Sequence, residues 1–133
     1  MLTRKKLLLI YLLAMVLLTG CGKQSTTGVP ADVAYQTGLA SWYGEAYQGR
    51  STASGELFDM YKLTAAHRVL AFGTMVQVEN QANGRRVTVK INDRGPSRDD
   101  RVIDLSKAAA SEIGMVTEGT AQVTLRIVTT AQK

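Results

Sequence analysis

Apolar and polar residues alternate with a period of two in four stretches of the chain. The stretches are residues 39–43, 76–79, 86–91 and 122–128. A period of two predicts strands that are buried on one face and exposed on the other. Because little of the chain is left to form helices that could cover a sheet, we expect a mainly β fold of five or six strands that closes into a barrel.

Three shorter signals predict how the strands are connected. Asn83-Gly84 lies between two alternating stretches and is typical of a tight hairpin turn. Lys107 to Ile113 is rich in alanine, can be capped by Ser106 and can end at Gly114, which predicts a short helix. Leu63 to Arg68 is a second helix candidate, with Thr64 as its cap, although six residues barely make a helix.

The N-terminal segment has the charge order of an export signal. Arg4, Lys5 and Lys6 precede an apolar run from Leu7 to Leu18. The run is twelve residues long, whereas a transmembrane helix needs about twenty. A retained transmembrane anchor is the alternative.

The apolar run ends in a sequence that resembles a bacterial lipobox, Leu18-Thr19-Gly20-Cys21, and Cys21 is the one cysteine of the chain. We therefore expect residues 1–20 to be removed as a lipoprotein signal peptide and Cys21 to carry lipid. The alternative is a buried free thiol.

Composition divides the remainder into a tether and a single domain. Residues 21–36 are mostly small and polar, so we expect a flexible tether, followed by one domain over residues 37–130.

The net charge of +5 falls to +2 without the three basic residues of the signal. This mild balance argues against nucleic-acid binding. One histidine and one lipidated cysteine offer no ligand set for zinc or iron, so we expect neither a metal nor a cofactor.

Candidate catalytic groups begin with Glu56, Asp59 and His67, which lie close together in sequence. If they share a cleft, a protonated carboxyl group could protonate a glycosidic oxygen while an ionised group stabilises positive charge on the sugar. Taken alone, however, two carboxylates in a loop are more often solvated, and a lone histidine is more often structural.

Two further aspartates occupy informative positions. Asp93 follows the strand at residues 86–91 in the turn Asn92-Asp93-Arg94-Gly95-Pro96, and strand ends often carry working residues. An Asp93–Arg94 pair that only ties the turn is equally possible. Asp104 lies among apolar neighbours, which should raise its pKa and suit it to act as a general acid. The alternative is that Asp104 caps the following helix.

Aromatic residues near the first strand could stack on sugars. Trp42, Tyr43 and Tyr47 offer flat apolar faces of this kind, although such residues also serve as core.

The domain, from about residue 38 to 128, resembles the rare lipoprotein A (RlpA) family, which implies a six-stranded double-psi β-barrel with short helices. The resemblance rests on Ala40-Ser41-Trp42-Tyr43-Gly44, Gly49-Arg50, Thr52-Ala53-Ser54-Gly55-Glu56, Phe58-Asp59-Met60, Leu63-Thr64-Ala65-Ala66-His67, Phe72-Gly73-Thr74, Asn92-Asp93-Arg94-Gly95-Pro96 and Ile103-Asp104-Leu105-Ser106.

The resemblance implies a lytic transglycosylase, a lyase that cuts peptidoglycan glycan strands between N-acetylmuramic acid and N-acetylglucosamine and leaves 1,6-anhydromuramyl ends. It also implies a preference for strands without stem peptides and a role in cell-wall remodelling or daughter-cell separation.

The resemblance also assigns site residues. Glu56, Asp59 and His67 match functional positions of the family, and Asp104 matches the aspartate segment that expansins and related barrel glycosidases use as their acid. Asp93 is the remaining catalytic candidate. We assign substrate binding to Trp42, Tyr43, Arg94 and Thr64.

Two other functions compete with catalysis on the same barrel: an expansin-like, non-catalytic peptidoglycan-binding lipoprotein, and a scaffold that recruits division or cell-wall proteins. An Asp59→Asn variant tests the binding module, and recovery of partners from membranes tests the scaffold. Because few residues follow the last predicted strand, we expect this protein to lack the sporulation-related domain of longer family members, which would leave a septal location open.

The expected partners are glycan strands and a membrane reached through lipid on Cys21. Gly22 is not the aspartate that marks inner-membrane retention, so we expect a periplasm-facing protein on the outer membrane, or on the cell membrane of a Gram-positive source.

Overall fold

The computed structural model describes residues 33–129. The predicted signal peptide, Cys21 and nearly all of the predicted tether lie outside these residues. Within the described range, no helix is long and apolar enough to cross a membrane.

Between residues 33 and 129, six strands close into a barrel in the order β1-β5-β2-β4-β3-β6. The strands are β1 (Gln36–Tyr43), β2 (Thr64–Ala66), β3 (Met75–Asn80), β4 (Arg86–Asp93), β5 (Arg101–Ser106) and β6 (Thr120–Thr129). A 3₁₀ turn (Glu45–Tyr47) follows β1, and one short helix, α1 (Lys107–Glu112), follows β5. The prediction of a mainly β, six-stranded barrel is confirmed.

The alternating pattern places its apolar set inside the barrel. Val76 and Val78 of β3, Val89 and Ile91 of β4, and Leu125 of β6 are fully buried. Burial removes these side chains from water, which is the main favourable contribution to folding in a chain of this size. These side chains therefore form the apolar core inside the barrel.

Two strand pairs are parallel, β1 with β5 and β2 with β4, and each contains a bulge. In β4, Ile91 pairs with Ala65 and Asp93 pairs with Ala66, so Asn92 is the extra residue. Without the bulge, Asp93 would share the inward face of Ile91, because side chains alternate along a strand. The bulge instead sets Asp93 beside Ala66.

The predicted helix over Leu63 to Arg68 is wrong. Residues 64–66 form β2 instead, and Thr64 is a strand residue rather than a cap. This strand is buried throughout, so it shows no alternation, and its parallel partner β4 and antiparallel partner β5 lie far along the chain. Non-local pairing overrides a weak local helix signal.

The predicted hairpin forms between β3 and β4, but its loop is wider than a two-residue turn. Asn80 N–H donates to Arg85 O at 2.9 Å, and Gly84 N–H donates to Asn80 O at 2.8 Å. Gly84 has a φ of +71° and Asn83 does not share a positive φ. Glycine therefore supplies the one left-handed position that this loop needs.

The predicted helix after β5 is confirmed. The Ser106 hydroxyl accepts a hydrogen bond from Ala109 N–H at 3.2 Å, as an N-cap does. The same hydroxyl donates to Lys62 O at 2.6 Å, so it also ties the helix start to the segment before β2.

Asn80 joins the hairpin to the end of α1. Its amide Nδ2 donates to Ile113 O at 2.9 Å and its Oδ1 accepts from Ala82 N–H at 3.0 Å, while the side chain is 4% exposed. We expect Asn80→Leu to lower the free energy of unfolding by about 2 kcal/mol, because buried backbone groups lose their partners. Urea unfolding measures this, with Glu118→Gln on the surface as the control. An unchanged stability in Asn80→Leu would contradict the role given to this side chain.

Candidate active site

Strand pairing brings four residues into one row across the barrel wall. Asp93 of β4 pairs with Ala66 of β2, Ala66 pairs with Asp104 of β5, and Asp104 pairs with Ser41 of β1. Residues paired across adjacent strands point to the same face of the sheet. The two aspartates therefore flank the small side chain of Ala66, although neither is near the other in sequence.

This row opens onto two adjoining cavities. The larger, of about 450 Å³, is called the acid cavity and is lined by Tyr43, Tyr47, Ala66, Arg68, Asp93, Arg94, Gly95, Pro96, Ser97 and Asp104. The smaller, of about 240 Å³, is called the tryptophan cavity and is lined by Trp42, Ser41, Arg98 and Arg101 together with five residues of the acid cavity. Asp104 is one of the shared residues. Its carboxyl group thus lies where the two cavities meet.

Asp104 is half-buried and accepts a short hydrogen bond from the Ser41 hydroxyl. Burial raises the pKa of Asp104, and the nearby Asp93 charge adds to that rise, while the Ser41 bond and the charges of Arg101 and Arg68 oppose it. The sequence-based prediction of a raised pKa is confirmed. Such a carboxyl group keeps its proton to higher pH than an ordinary aspartic acid does.

Asp93 is held differently. Its Oδ1 accepts hydrogen bonds from Ala53 N–H at 2.9 Å and from Arg94 N–H at 2.8 Å. Backbone N–H groups aimed at a carboxylate hold its position and complement its negative charge. Asp93 and Asp104 therefore offer two carboxyl groups in different environments within one cavity.

The Tyr43 hydroxyl lies close to both aspartates. It is buried and has no hydrogen-bond partner among residues 33–129. Burial raises its pKa, and the charges of Asp93 and Asp104 raise it further. The ring packs on Phe58, with 4.4 Å between centroids, and meets Tyr47 edge-on. Tyr43 thus forms part of the wall of the acid cavity with a buried hydroxyl that no described residue satisfies.

Trp42 and Arg94, two further candidates for substrate binding, differ in their surroundings. Trp42 lines the tryptophan cavity while packing partly against the core. Arg94 Nη1 donates to Leu70 O at 2.8 Å and to His67 O at 3.2 Å, and its guanidinium lies 3.9 Å from the centre of the Phe72 ring. Arg94 therefore ties a turn, as one alternative held, but its guanidinium donates to backbone carbonyls, including Asp93 O at 3.5 Å, rather than to the Asp93 carboxylate.

Glu56 and Asp59 line a separate cavity, away from the aspartate row. This paired-charge cavity, of about 420 Å³, is lined by Glu56, Leu57, Asp59, Lys62, Thr64, Lys90 and Asn92. Glu56 accepts from Lys90 Nζ at 2.8 Å and from Asn92 Nδ2 at 3.3 Å, and these bonds lower its pKa. An ionised, paired carboxylate is poorly suited to donate a proton at neutral pH.

His67 lines none of these three cavities but a fourth, of about 420 Å³, together with Tyr35, Gln36, Arg68, Val69 and Val102. The side chain is 3% exposed, its Nδ1 accepts from Val69 N–H and Leu70 N–H at 3.2 Å each, and its Nε2 lies 2.9 Å from Gln36 Oε1. Burial lowers the pKa of His67, and the charges of Arg94 and Arg68 lower it further. The structure thus keeps Glu56 and Asp59 at one cavity and separates His67 from them, and the catalytic roles of Glu56, Asp59 and His67 stay predictions.

Sequence reasoning missed Ser41 and Ala66 as site residues. Ser41 lies in the alternating stretch 39–43 and in the family motif at residues 40–44, and the available signal was a polar residue among larger side chains. Ala66 gave no signal, because its importance comes from its two partner strands. Among residues 33–129, no group of three histidine, cysteine or acidic residues could hold a metal ion.

The Asp104→Asn variant tests how much the half-buried Asp104 carboxylate lowers the stability of the folded protein. Since the folded-state pKa of Asp104 is raised, its contribution to stability is present at acidic pH and is lost as the pH rises through that pKa. We therefore expect Asp104→Asn to have a higher Tm than the wild type at pH 7 and to lose this advantage near pH 3. Thermal unfolding at both pH values measures it. A lower Tm for the variant at pH 7 would contradict the effect of burial.

His67 substitutions test its role as a hydrogen-bond acceptor. We expect His67→Leu to cost about 2–3 kcal/mol, because two buried N–H groups lose their acceptor, and His67→Asn to cost less. Because the pKa of His67 is lowered, the wild type should lose stability relative to His67→Asn as the pH falls below about 6.5. Urea titrations at pH 7 and pH 5 measure both effects. Equal costs for the two variants would argue against this role.

Comparison with known proteins agrees with the geometry. Residues 35–125 match a protein-family model described as lytic transglycolase. The chain is 49% identical over 94 residues to a Vibrio cholerae protein named endolytic peptidoglycan transglycosylase RlpA, covering 71% of this chain and 36% of the relative. A Synechocystis protein named probable endolytic peptidoglycan transglycosylase RlpA is 56% identical over 91 residues, covering 68% and 28%. The chain thus spans about a third of the length of these curated relatives.

Solved structures show the same fold. A Streptomyces papain inhibitor matches with a TM-score of 0.58 and 25% identity over 72% of this chain and 97% of its own. A Clavibacter michiganensis expansin mutant in complex with cellohexaose matches with a TM-score of 0.57 and 17% identity over 74% and 53%. Barrel topology, family match and sequence identity agree: this chain belongs to the RlpA family of double-psi β-barrel proteins.

Proposed function

We propose that this protein is a lytic transglycosylase that cleaves peptidoglycan glycan strands between N-acetylmuramic acid and N-acetylglucosamine. The observation that carries the proposal is the position of Asp104, a half-buried carboxyl group with a raised pKa at the junction of two cavities. A group that protonates a glycosidic oxygen has to lie between the sites for the two sugars that this oxygen joins.

The two cavities offer different environments to the two sugars. The acid cavity contains Asp93, whose negative charge suits the sugar on which positive charge develops. The tryptophan cavity offers the indole face of Trp42 to the leaving sugar. We therefore assign the muramyl residue to the acid cavity and the departing glucosamine to the tryptophan cavity.

In the proposed reaction, Asp104 gives its proton to the glycosidic oxygen as the bond from that oxygen to the muramyl anomeric carbon breaks. The 6-hydroxyl oxygen of the same muramyl residue then bonds to the anomeric carbon and closes the 1,6-anhydro ring. The proton of that hydroxyl passes to the Asp104 carboxylate, which restores the starting state. One carboxyl group thus serves as acid and then as base, and no water is consumed.

The names of the relatives support this proposal, since the Vibrio cholerae and Synechocystis proteins are both named endolytic peptidoglycan transglycosylases. Their names describe proteins about three times as long as the matched region. The activity of this chain is therefore inferred from its own site together with that family relationship.

We further propose that lipid on Cys21 holds the barrel against a membrane that faces the cell wall, the outer membrane in a Gram-negative source. The order of basic residues, apolar run and lipobox-like sequence supports this placement. A barrel tethered in this way would act on nearby glycan strands in cell-wall remodelling or daughter-cell separation, with division or cell-wall proteins as further partners.

Digestion of purified glycan strands tests the proposed reaction. We expect the full chain, purified in detergent, to release fragments with anhydromuramyl ends that mass spectrometry detects. Asp104→Asn should lower the rate at least about a hundredfold, as loss of a general acid does, and Asp93→Asn should also lower it. Glu118→Gln, on the exposed surface, is the matched control.

Glu56→Gln in the same assay decides between the candidate acids. Its carboxylate is already paired with Lys90, so its loss should slow the reaction far less than loss of Asp104. A larger loss in Glu56→Gln than in Asp104→Asn would move the acid to the paired-charge cavity. Strands that bind without any anhydromuramyl product would favour the non-catalytic binding module instead.

A further inference from the structure

The fourth cavity, which we call the Tyr35 cavity, presents apolar surface that solvent can reach. Its volume is about 420 Å³, and it is lined by Tyr35, Gln36, His67, Arg68, Val69 and Val102. Tyr35 is 44% exposed and Val69 is 72% exposed, so neither side chain fills the core. Exposed apolar side chains around one concave surface are typical of a ligand-binding site. The Tyr35 cavity can therefore receive a ligand that has an apolar face.

The fold holds Tyr35 in place without covering it. Its backbone N–H donates to Leu125 O at 2.7 Å, which ties the residue before β1 to β6. Its ring lies beside the ring of His67, with 6.1 Å between the centroids and 57° between the planes. An aromatic ring that is supported on one side and accessible on the other is a surface on which a sugar can stack.

The hydrogen bonds of His67 determine which way the Gln36 amide points. His67 Nδ1 accepts from the N–H groups of Val69 and Leu70 at 3.2 Å each, and its lowered pKa keeps the ring neutral at pH 7. The ring proton must then lie on Nε2, which donates to Gln36 Oε1 at 2.9 Å. The Gln36 NH₂ group has no acceptor among residues 33–129. It can therefore donate to a carbonyl group of a ligand.

Arg68 joins the Tyr35 cavity to the acid cavity, because it lines both. Its guanidinium donates to Pro96 O at 2.9 Å through Nε and to Arg98 O through Nη2, so the side chain is fixed against the loop after β4. The tryptophan cavity also adjoins the acid cavity but shares none of its described lining residues with the Tyr35 cavity. The acid cavity therefore lies between the other two.

We propose that the Tyr35 cavity binds one further sugar of the strand, the N-acetylglucosamine that precedes the muramyl residue on its non-reducing side. The identification rests on the proposed function, which assigns the muramyl residue to the acid cavity and the departing glucosamine to the tryptophan cavity. The strand continues from the muramyl residue away from the departing sugar, so its next sugar meets the cavity on the far side of Arg68.

The chemistry of this sugar matches the groups that line the cavity. The Tyr35 ring stacks on the apolar face of the sugar ring, and the Gln36 NH₂ group donates to the carbonyl of the acetamido group. N-acetylglucosamine carries no stem peptide, so its site needs no space for one. The proposal thus agrees with a preference for strands from which the stem peptides have been removed.

Two oligosaccharides that differ by this one sugar test the proposal. They are the disaccharide N-acetylmuramyl-N-acetylglucosamine and the trisaccharide with a further N-acetylglucosamine on the muramyl residue, both without stem peptides. Calorimetric titration measures their affinities for the full Asp104→Asn chain in detergent, in which cleavage is slowed, and mass spectrometry checks that the sugars stay intact. We expect the trisaccharide to bind about tenfold more tightly, as one stacked sugar contributes.

Tyr35→Ala, made in the same Asp104→Asn background, should abolish this tenfold gain. The affinity for the disaccharide should not change, because the disaccharide does not reach the Tyr35 cavity. Tyr61→Ala is the matched control, since Tyr61 is 72% exposed and lines none of the four cavities. Circular dichroism checks that both variants fold.

Gln36→Glu tests the recognition of the acetamido group. The glutamate keeps an acceptor for His67 Nε2–H and removes the NH₂ donor, so affinity for the trisaccharide should fall about fivefold. A trisaccharide with glucose as its first sugar should bind about fivefold more weakly than the natural one and should lose nothing further in Gln36→Glu. Gln122→Glu, exposed on β6, is the control for the added charge.

The proposal is overturned if the trisaccharide binds no more tightly than the disaccharide, or if Tyr35→Ala and Tyr61→Ala bind it equally well. Cleavage of long strands by the wild type tests the proposed function separately. Cleavage without tighter binding of the trisaccharide would remove only the sugar site in the Tyr35 cavity. Tighter binding without cleavage would keep this site and remove only the catalytic proposal.

Discussion

The site depends on one constraint, the pairing of strands β4, β2, β5 and β1 side by side in the barrel wall. This order brings Asp93, Ala66, Asp104 and Ser41 into one row, although Ser41 and Asp104 are 63 residues apart in the chain. The bulge at Asn92 completes the row, because it moves Asp93 away from the core face. The pairing of these four strands therefore forms the site.

Asp104 lowers the stability of the folded protein when it is charged, and it is also the acid of the proposed reaction. Its surroundings disfavour the charged form, and a second carboxylate, Asp93, stands in the same cavity. The apolar core of the barrel offsets this cost through side chains that take no part in the chemistry. Ala66 contributes by being small, since a larger side chain between the two aspartates would fill part of the acid cavity.

Signals from neighbouring residues predicted most of the fold, whereas most of the site depends on pairing between strands that are distant in sequence. The alternation around Val76 and Val89 predicted strands, and Ser106 predicted a helix start, because those signals depend on nearby residues alone. The three residues of β2 gave no such signal, so a strand was taken for a helix. His67 was grouped with Glu56 by sequence distance, yet its partners are the backbone of residues 69 and 70 and the Gln36 side chain.

The most direct test of this account is an NMR titration of the Asp104 carboxyl carbon in the wild type and in Asp93→Asn. The account predicts a pKa above that of an ordinary aspartic acid in both proteins, because burial is the main cause, with a small decrease when the Asp93 charge is removed. A pKa at or below the ordinary value in the wild type would contradict the account, since Asp104 could not then hold the proton that the proposed reaction transfers.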